Sequence, residues 1–494
     1  MIRARPSLLA VLILAALGSG CTVRPQVVTE EGVATRIRND LKLMGDGYEA
    51  PTIPITLEEA TARALRYNLD YRLKLMEEAL YLKNLDVSRA DMLPKLLASA
   101  GYTARSNEDE SASIGRDRAT AGIEFSWDIL DFGISYFRAK QQADQYLIAQ
   151  ERRRKVIQNV VQDVRSAYYR ALAAQKLAGR SDELLAEVDA ALKKSAQVEQ
   201  RGLATPVAAL QYQRALLETT SLLVQKKREL QLSRIELAAL MNLPPGLDFE
   251  IADAPLPPPH APPRDIRQME LTALRLRPEL REEDYKARIS EAEAKRLILG
   301  VLPGAELRAA FQVDSNTFLD HKTWFETGAR ASWNLFRLLA LPSTLEMSEH
   351  EGKVNEVRRA ALTMAVITQT RIAAQRYDMA LADYDLAVKT SDVDDKLFKH
   401  SQSGSKAGFE NELEVVRSRT KALFSEIQRY SAYSNTQAAY ARLLNSLGVD
   451  LVQPEKDPKD VAETAAYLRD SLTAWDKLVA EFTAVRADPQ AVPR

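Results

Sequence analysis

Apolar positions along this chain follow two periods, and the two alternate in a fixed order. Over long stretches they recur at steps of four and three, as at Ile157, Val161, Val164, Tyr168 and Ala171, which is the seam of a coiled coil. Leu216, Leu223, Leu230 and Leu237 recur at steps of seven. No Pro or Gly falls between Ile134 and Ala178, and Gly179 alone interrupts the run before Gly202, too small a cost to end a helix. The pattern predicts a helix over Leu57–Met92, a very long one over Tyr136–Gln200, and a third over Pro206–Met241. It then predicts the same three over Glu270–Val301, Arg337–Lys399 and Glu412–Leu447. At 1.5 Å per residue the longest run is about 97 Å and each shorter helix about 54 Å. Two shorter helices end to end match one long one, so the expected body is a rod about 100 Å long.

Between the first and second helix of each set the period drops to two. Ile123, Phe125, Trp127 and Ile129 alternate with Glu124, Ser126 and Asp128. Phe325, Ala329, Ala331, Trp333 and Leu335 oppose Glu326, Arg330, Ser332 and Asn334. Upstream, Ala98, Ala100, Tyr102 and Ala104 oppose Ser99, Thr103 and Arg105, and Leu307, Ala309, Phe311 and Val313 oppose Glu306, Arg308, Gln312 and Asp314. Polar loops, SNEDESASIGRDRA and DSNTFLDHKT, join each pair into a hairpin. Strands of about ten residues with aromatics on one face and charge on the other suit a transmembrane barrel with a wet lumen. A half-buried hairpin of a soluble sheet gives the same alternation. In lipid an open edge is forbidden, and four strands cannot close a barrel, so several chains would have to contribute.

The order repeats because the chain repeats. Shifted by 209 residues, Ala64-Leu65 meets Ala273-Leu274, Leu93-Pro94 meets Leu302-Pro303, and Tyr102 meets Phe311. At a shift of 206, Trp127 meets Trp333 and Gly202 meets Gly408; at 204, Leu240 meets Leu444. This is a tandem duplication, far longer in period than a solenoid repeat. The proline-rich DAPLPPPHAPPR joins the halves and can be neither helix nor strand. The boundaries follow: a signal peptide at 1–20, an N-terminal linker at 21–56, a first repeat at 57–252, the linker at 253–264, a second repeat at 265–450, and a charged tail at 451–494.

Composition narrows the chemistry. Sixty-seven basic and 68 acidic residues leave a formal charge of −1, which gives no reason to expect nucleic acid. Arg3 and Arg5 precede the ten-residue apolar run Leu8–Leu17, too short to span a bilayer and suited to an export signal. Gly18-Ser19-Gly20 then leads to Cys21, the chain's single cysteine, which cannot staple a fold. Its setting resembles the lipobox of bacterial lipoproteins, with Leu17 one step further from the cysteine than usual; the bland reading is an ordinary signal with an incidental cysteine. Thr22, rather than Asp, after it does not signal inner-membrane retention. The four histidines, His260, His321, His350 and His400, lie in no ligand spacing and read as surface residues. Neither a phosphate loop nor a nucleophile elbow occurs, so no enzyme, metal or cofactor is expected, and function must be conduction and docking.

The duplicated helix–hairpin–helix–helix units, LEEATARALRYNLD with its echo LTALRLRPEL, the two Leu-Pro ends, SWDILDFG and RGLATPVAALQYQRALL together resemble the TolC-like outer-membrane efflux protein family, in its lipoprotein branch. The fold class expected is mainly α with a small β part: a long coiled-coil α-helical barrel joined to a transmembrane β-barrel. The resemblance implies a homotrimer whose twelve strands close that barrel in the outer-membrane lipid, with a periplasmic tunnel below. It implies an exit duct working with a periplasmic adaptor and an inner-membrane pump, for efflux or type I secretion, from a Gram-negative bacterium. It makes Cys21 the acylation site. It puts Phe125, Trp127, Phe325 and Trp333 against lipid. Gly202, Leu203, Ala204 and Thr205, with Gly408, become the adaptor-docking tip. Glu414, six residues beyond Gly408, best matches the acidic constriction, with Glu410 nearby; Arg417 stands where a second acid is often found. Two departures stand out: Arg337-Leu338-Leu339 replaces the Asp131-Phe132-Gly133 of the first repeat, and the tail beyond Pro454 is unusually charged. A lipid-anchored coiled-coil adaptor or scaffold is the alternative, and it would lack the duplicated strands.

Overall fold

The structure, a computed structural model, describes residues 27–45, 49–51, 54–104, 117–200, 206–244, 246–253, 255–262, 264–406, 412–450 and 460–483. It has two units, Met1–Glu49 and Ala50–Arg494. In the first, α1 (Glu30–Gly45) begins where the Thr29 hydroxyl accepts from the Gly32 N–H at 3.1 Å, and it buries none of its own residues.

The second unit contains the two repeats. The first runs α2 (Leu57–Tyr67), α3 (Leu69–Ala90), β1 (Lys95–Ala104), β2 (Asp117–Asp128), α4 (Ile129–Gln200) and α5 (Pro206–Leu240). The second runs α6 (Ile266–Leu276), α7 (Pro278–Leu299), β3 (Gly304–Asp314), β4 (Thr323–Ser332), α8 (Leu341–Lys406) and α9 (Glu412–Leu447), followed by α10 (Val461–Thr483). A 3₁₀ segment, Leu335–Ala340, stands between β4 and α8.

The helix expected over Leu57–Met92 is in fact two, and so is its echo. Asn68 is extended (φ −61°, ψ 125°); its N–H donates to Ala64 O while its side chain accepts from Tyr71 N at 3.1 Å, ending one helix and capping the next. Arg277 takes the same angles 209 residues later, and Pro278 opens α7 at the position where a missing N–H costs nothing. Each break sits on the end of its repeat's last helix. Asn68 Nδ2 approaches Leu240 O at 3.5 Å, and Arg277 Nη1 approaches Asn445 O and Ser446 O at 3.5 and 3.4 Å. Both last helices end in the left-handed region, at Asn242 (φ 53°) and Gly448 (φ 71°). A Cβ on Gly448 would stand 2.8 Å from Arg277 N, so only glycine fits there.

The long helices also shift. Asp128 ends β2 and accepts from the N–H of Leu130 and Asp131 at 2.8 and 3.0 Å, so α4 starts directly at the strand's end, seven residues before Tyr136. In the second repeat Pro342 has no N–H to donate to Leu338 O; Leu341 N donates there instead, and α8 begins at Leu341 rather than at Arg337.

Helix α4 is the spine, packed by α2, α3, α5, α7 and α9. Ile157, Val161, Val164, Tyr168 and Ala171 are all buried on it, and below them Leu177, Leu184 and Val188 join Leu216, Leu223, Leu423 and Ile427 in one core. Five tyrosines (Tyr168, Tyr169, Tyr377, Tyr433 and Tyr440) pack at the middle, with Arg165 over the Tyr440 ring at 5.0 Å. Burial pushes the Tyr168 and Tyr433 hydroxyls up from their ordinary value. Those rings hold the proline-rich segment: Tyr433 OH donates to Pro257 O and Tyr377 OH to His260 O, both at 2.8 Å. His260, expected at the surface, instead stacks on Tyr440 at 4.6 Å.

Candidate functional site

The four strands form one antiparallel sheet in the order β1-β2-β3-β4, so β2 and β3 join the two repeats and β1 and β4 are its edges. The register puts Ile123 opposite Ala98 and Phe311, Phe125 opposite Leu96, and Phe311 opposite Phe325. Because side chains alternate, these apolar residues share one face. Phe125, Trp127, Phe325 and Trp333 are all exposed on it. Trp127 meets Phe132 edge-on at 6.2 Å, and Trp333 Nε1 donates to Val301 O at 2.9 Å.

The other face carries charge in matched pairs. Glu124 meets Arg308 at 2.8 Å, Glu306 meets Arg330 at 3.8 Å, and Arg118 Nε donates to Asp314 at 3.0 Å. Arg118 fell in a polar loop on the sequence reading; it lies inside β2 and its pair with Asp314 bridges the repeats. Alternation alone located the faces, but only register could show that acids and bases on adjacent strands meet. One face is therefore apolar and bare, the other ionic and internally compensated.

Below the sheet a second set of charges ties the repeats together. Arg154 donates to Asp450 at 2.6 Å and pairs with Glu151, and Lys155 pairs with Glu279 at 3.0 Å. Burial holds Glu151 above the usual carboxylate range. Burial also opposes charge at Glu279, yet Lys155 and Arg277 outweigh it and hold Glu279 below that range. No sequence motif marked these residues. The duplication offset, laid from Asn68 onto Arg277-Pro278, was the signal that could have found them.

At the far ends of the long helices, a step of seven from Arg180 to Glu187 on α4 is matched by a step of seven from Glu426 to Arg419 on α9, through ion pairs at both levels. The last turns of α4 and the first turns of α9 therefore lie at one end of the unit. Glu414 and Arg417 are exposed there, 3.9 Å apart. Gly202, Leu203, Ala204, Thr205, Gly408, Glu410 and the acylation candidate Cys21 lie outside the described residues. Among the described residues no helix is long and apolar enough to cross a membrane, and no cluster could hold a metal ion.

A two-faced sheet beside two long helices of 72 and 66 residues defines the fold class, mainly helical with a small β part, the fold shared by solved helical-barrel outer-membrane channels. Residues 63–243 match the sequence profile described as outer membrane efflux protein. The chain's fold is similar to the Campylobacter jejuni CmeC outer membrane channel, at TM-score 0.65 and 13% identity over 86% of this chain and 95% of that one. It is also similar to the Neisseria gonorrhoeae MtrE outer membrane channel in its open state (TM-score 0.62, 15% identity, 81% and 93% covered). The Vibrio cholerae outer membrane protein VceC gives TM-score 0.61 at 14% identity over 79% and 96%. No curated protein matches the chain by sequence.

Proposed function

We propose that three copies of this chain form the exit duct of a tripartite efflux or type I secretion system. A twelve-stranded barrel would cross the outer membrane above a periplasmic helical tunnel, with an adaptor and an inner-membrane pump beneath. The observation that carries this reading is the sheet: a bare apolar face, a charged face, and two open edges. Lipid tolerates that arrangement only if the edges close on other copies. A coiled-coil adaptor would need no such sheet.

The helices support the same assembly. By their contacts, α3 and α5 stand at one edge of the protomer and α8 at the other. Leu69, Leu73, Met76, Leu80 and Val87 are exposed on α3 at steps of four, three, four and seven. Val357, Met364, Ile372, Met379, Leu386 and Val393 are exposed on α8 at steps of seven or eight. Two unfilled seams on opposite edges suit head-to-tail packing into a closed ring.

Cys21 is the acyl site, with Cys21→Ser losing acyl labelling while the barrel still holds the protein in the outer membrane. Gly202, Leu203, Ala204, Thr205 and Gly408 meet the adaptor. Glu414 lines the constriction: three copies near one axis attract cations, tempered by Arg417 on each. Single-channel recording in a planar bilayer under a salt gradient tests this. Glu414→Lys should shift the reversal potential away from cation preference, and Glu410→Lys should shift it less. An unchanged reversal potential in Glu414→Lys removes that residue from the gate.

A further inference from the structure

The junction between β4 and α8 is where the second repeat departs from the first, and there the chain carries Leu335-Phe336-Arg337-Leu338-Leu339-Ala340 as a 3₁₀ turn. With three residues per turn, Phe336 and Leu339 share one stripe and Arg337 lies on another. Phe336 is 83% exposed and Leu339 77%, and Leu335 beside them is exposed as well. Arg337 turns the other way: its Nη1 donates to Gly300 O at 2.9 Å, at the end of α7. That bond fixes the segment's roll, so the apolar stripe is held outward. At the same junction of the first repeat, Ile129, Phe132 and Tyr136 are exposed at the start of α4.

We infer that the Phe336–Leu339 stripe is a lipid anchor, seated at the acyl-chain and headgroup boundary of the inner leaflet of the outer membrane. It follows β4, whose apolar face carries Phe325, Ala329 and Ala331, at the rim where sheet gives way to helix. A short segment with apolar residues on one side and a pinned cation on the other suits that boundary. The inference rests on the barrel reading proposed above.

The test places an environment-sensitive fluorophore on Phe336→Cys in a Cys21→Ser background, in the full chain reconstituted into phosphatidylethanolamine–phosphatidylglycerol vesicles. Lipids carrying nitroxides at shallow or deep positions act as quenchers. Blue-shifted emission, quenched more by shallow than by deep nitroxides, is expected. Water-like emission without quenching overturns the anchor. So does blue-shifted emission that neither lipid quenches, which means a neighbouring copy covers the stripe. Leu339→Cys is read in the same way should the first variant fail to assemble. Phe325→Cys separates the two proposals: it should be quenched by deep nitroxides, and if it is not, the barrel reading has failed as well.

Discussion

Helices α4 and α8 hold equivalent places in the two repeats, yet they have opposite surroundings. On α4 the seam from Ile157 to Ala171 is buried among five other helices. On α8 only Val366, Thr370, Ala373, Ala374, Tyr377, Ser391 and Ser401 are buried, and a row of Val, Met, Ile and Leu stays open. The same periodic signal is thus satisfied once within the chain and left incomplete once. An element at the centre of a protomer stabilises its fold; its duplicate at the edge is available for assembly.

A charge placed in each seam should break that comparison most sharply. Val164→Asp buries an unpaired carboxylate on α4 and should cost about 4 kcal/mol or more, abolishing the folded protomer. Met364→Asp with Met379→Asp on α8 should leave helicity by circular dichroism intact and dissociate the proposed trimer on a native gel. If the double variant stays trimeric, α8 is not an interface.

The helix ends give the next test. Gly448→Ala must hold φ near 71° with a Cβ against Arg277 N, and should lose about 2–4 kcal/mol in denaturant unfolding. Asn242→Gly, at the equivalent site, should change stability by a few tenths of a kcal/mol at most. Similar losses at both would mean that the two caps carry equal strain.

Acid gives the smallest effect. Burial works against charge at Glu282, but hydrogen bonds from Arg152 and Lys286 hold it below its ordinary 4.5. A depressed carboxylate adds stability that is present above the unfolded value of 4.5 and is lost as pH falls through the lower folded value. Melting temperature should therefore drop as the medium is acidified below that window. Glu282→Gln should flatten the drop. An unaltered profile in that variant would mean that Glu282 and its pair with Arg152 contribute nothing to the acid dependence.

Much of the fold was legible because its signals are local and repeated. Thr56 and Asp265 cap α2 and α6 through Glu59 N and Gln268 N, two caps 209 residues apart, and the second starts its helix at Ile266, four residues before the expected Glu270. The strand faces were legible because a period of two admits only two assignments. Less legible were Asn68 and Arg277, where a helical pattern runs on through a break. Asn68 can end a helix or ride within one, and the decision is made by the helix end that docks on it. The gate and docking residues were named by resemblance alone, since their role depends on copies of the chain meeting around an axis.

The sequence by itself determined what is periodic: two long helices, their shorter partners, two hairpins with one apolar face, and the fact that all of it occurs twice. Periodicity is a property of neighbouring residues, so it survives without any fold. Tertiary structure alone decided that β2 pairs with β3, that Arg118 finds Asp314 across 196 residues, that His260 lies under Tyr440, and that α4 is interior while α8 is not. Those outcomes depend on distant segments arriving at one place, and two copies of the same pattern cannot both occupy the centre.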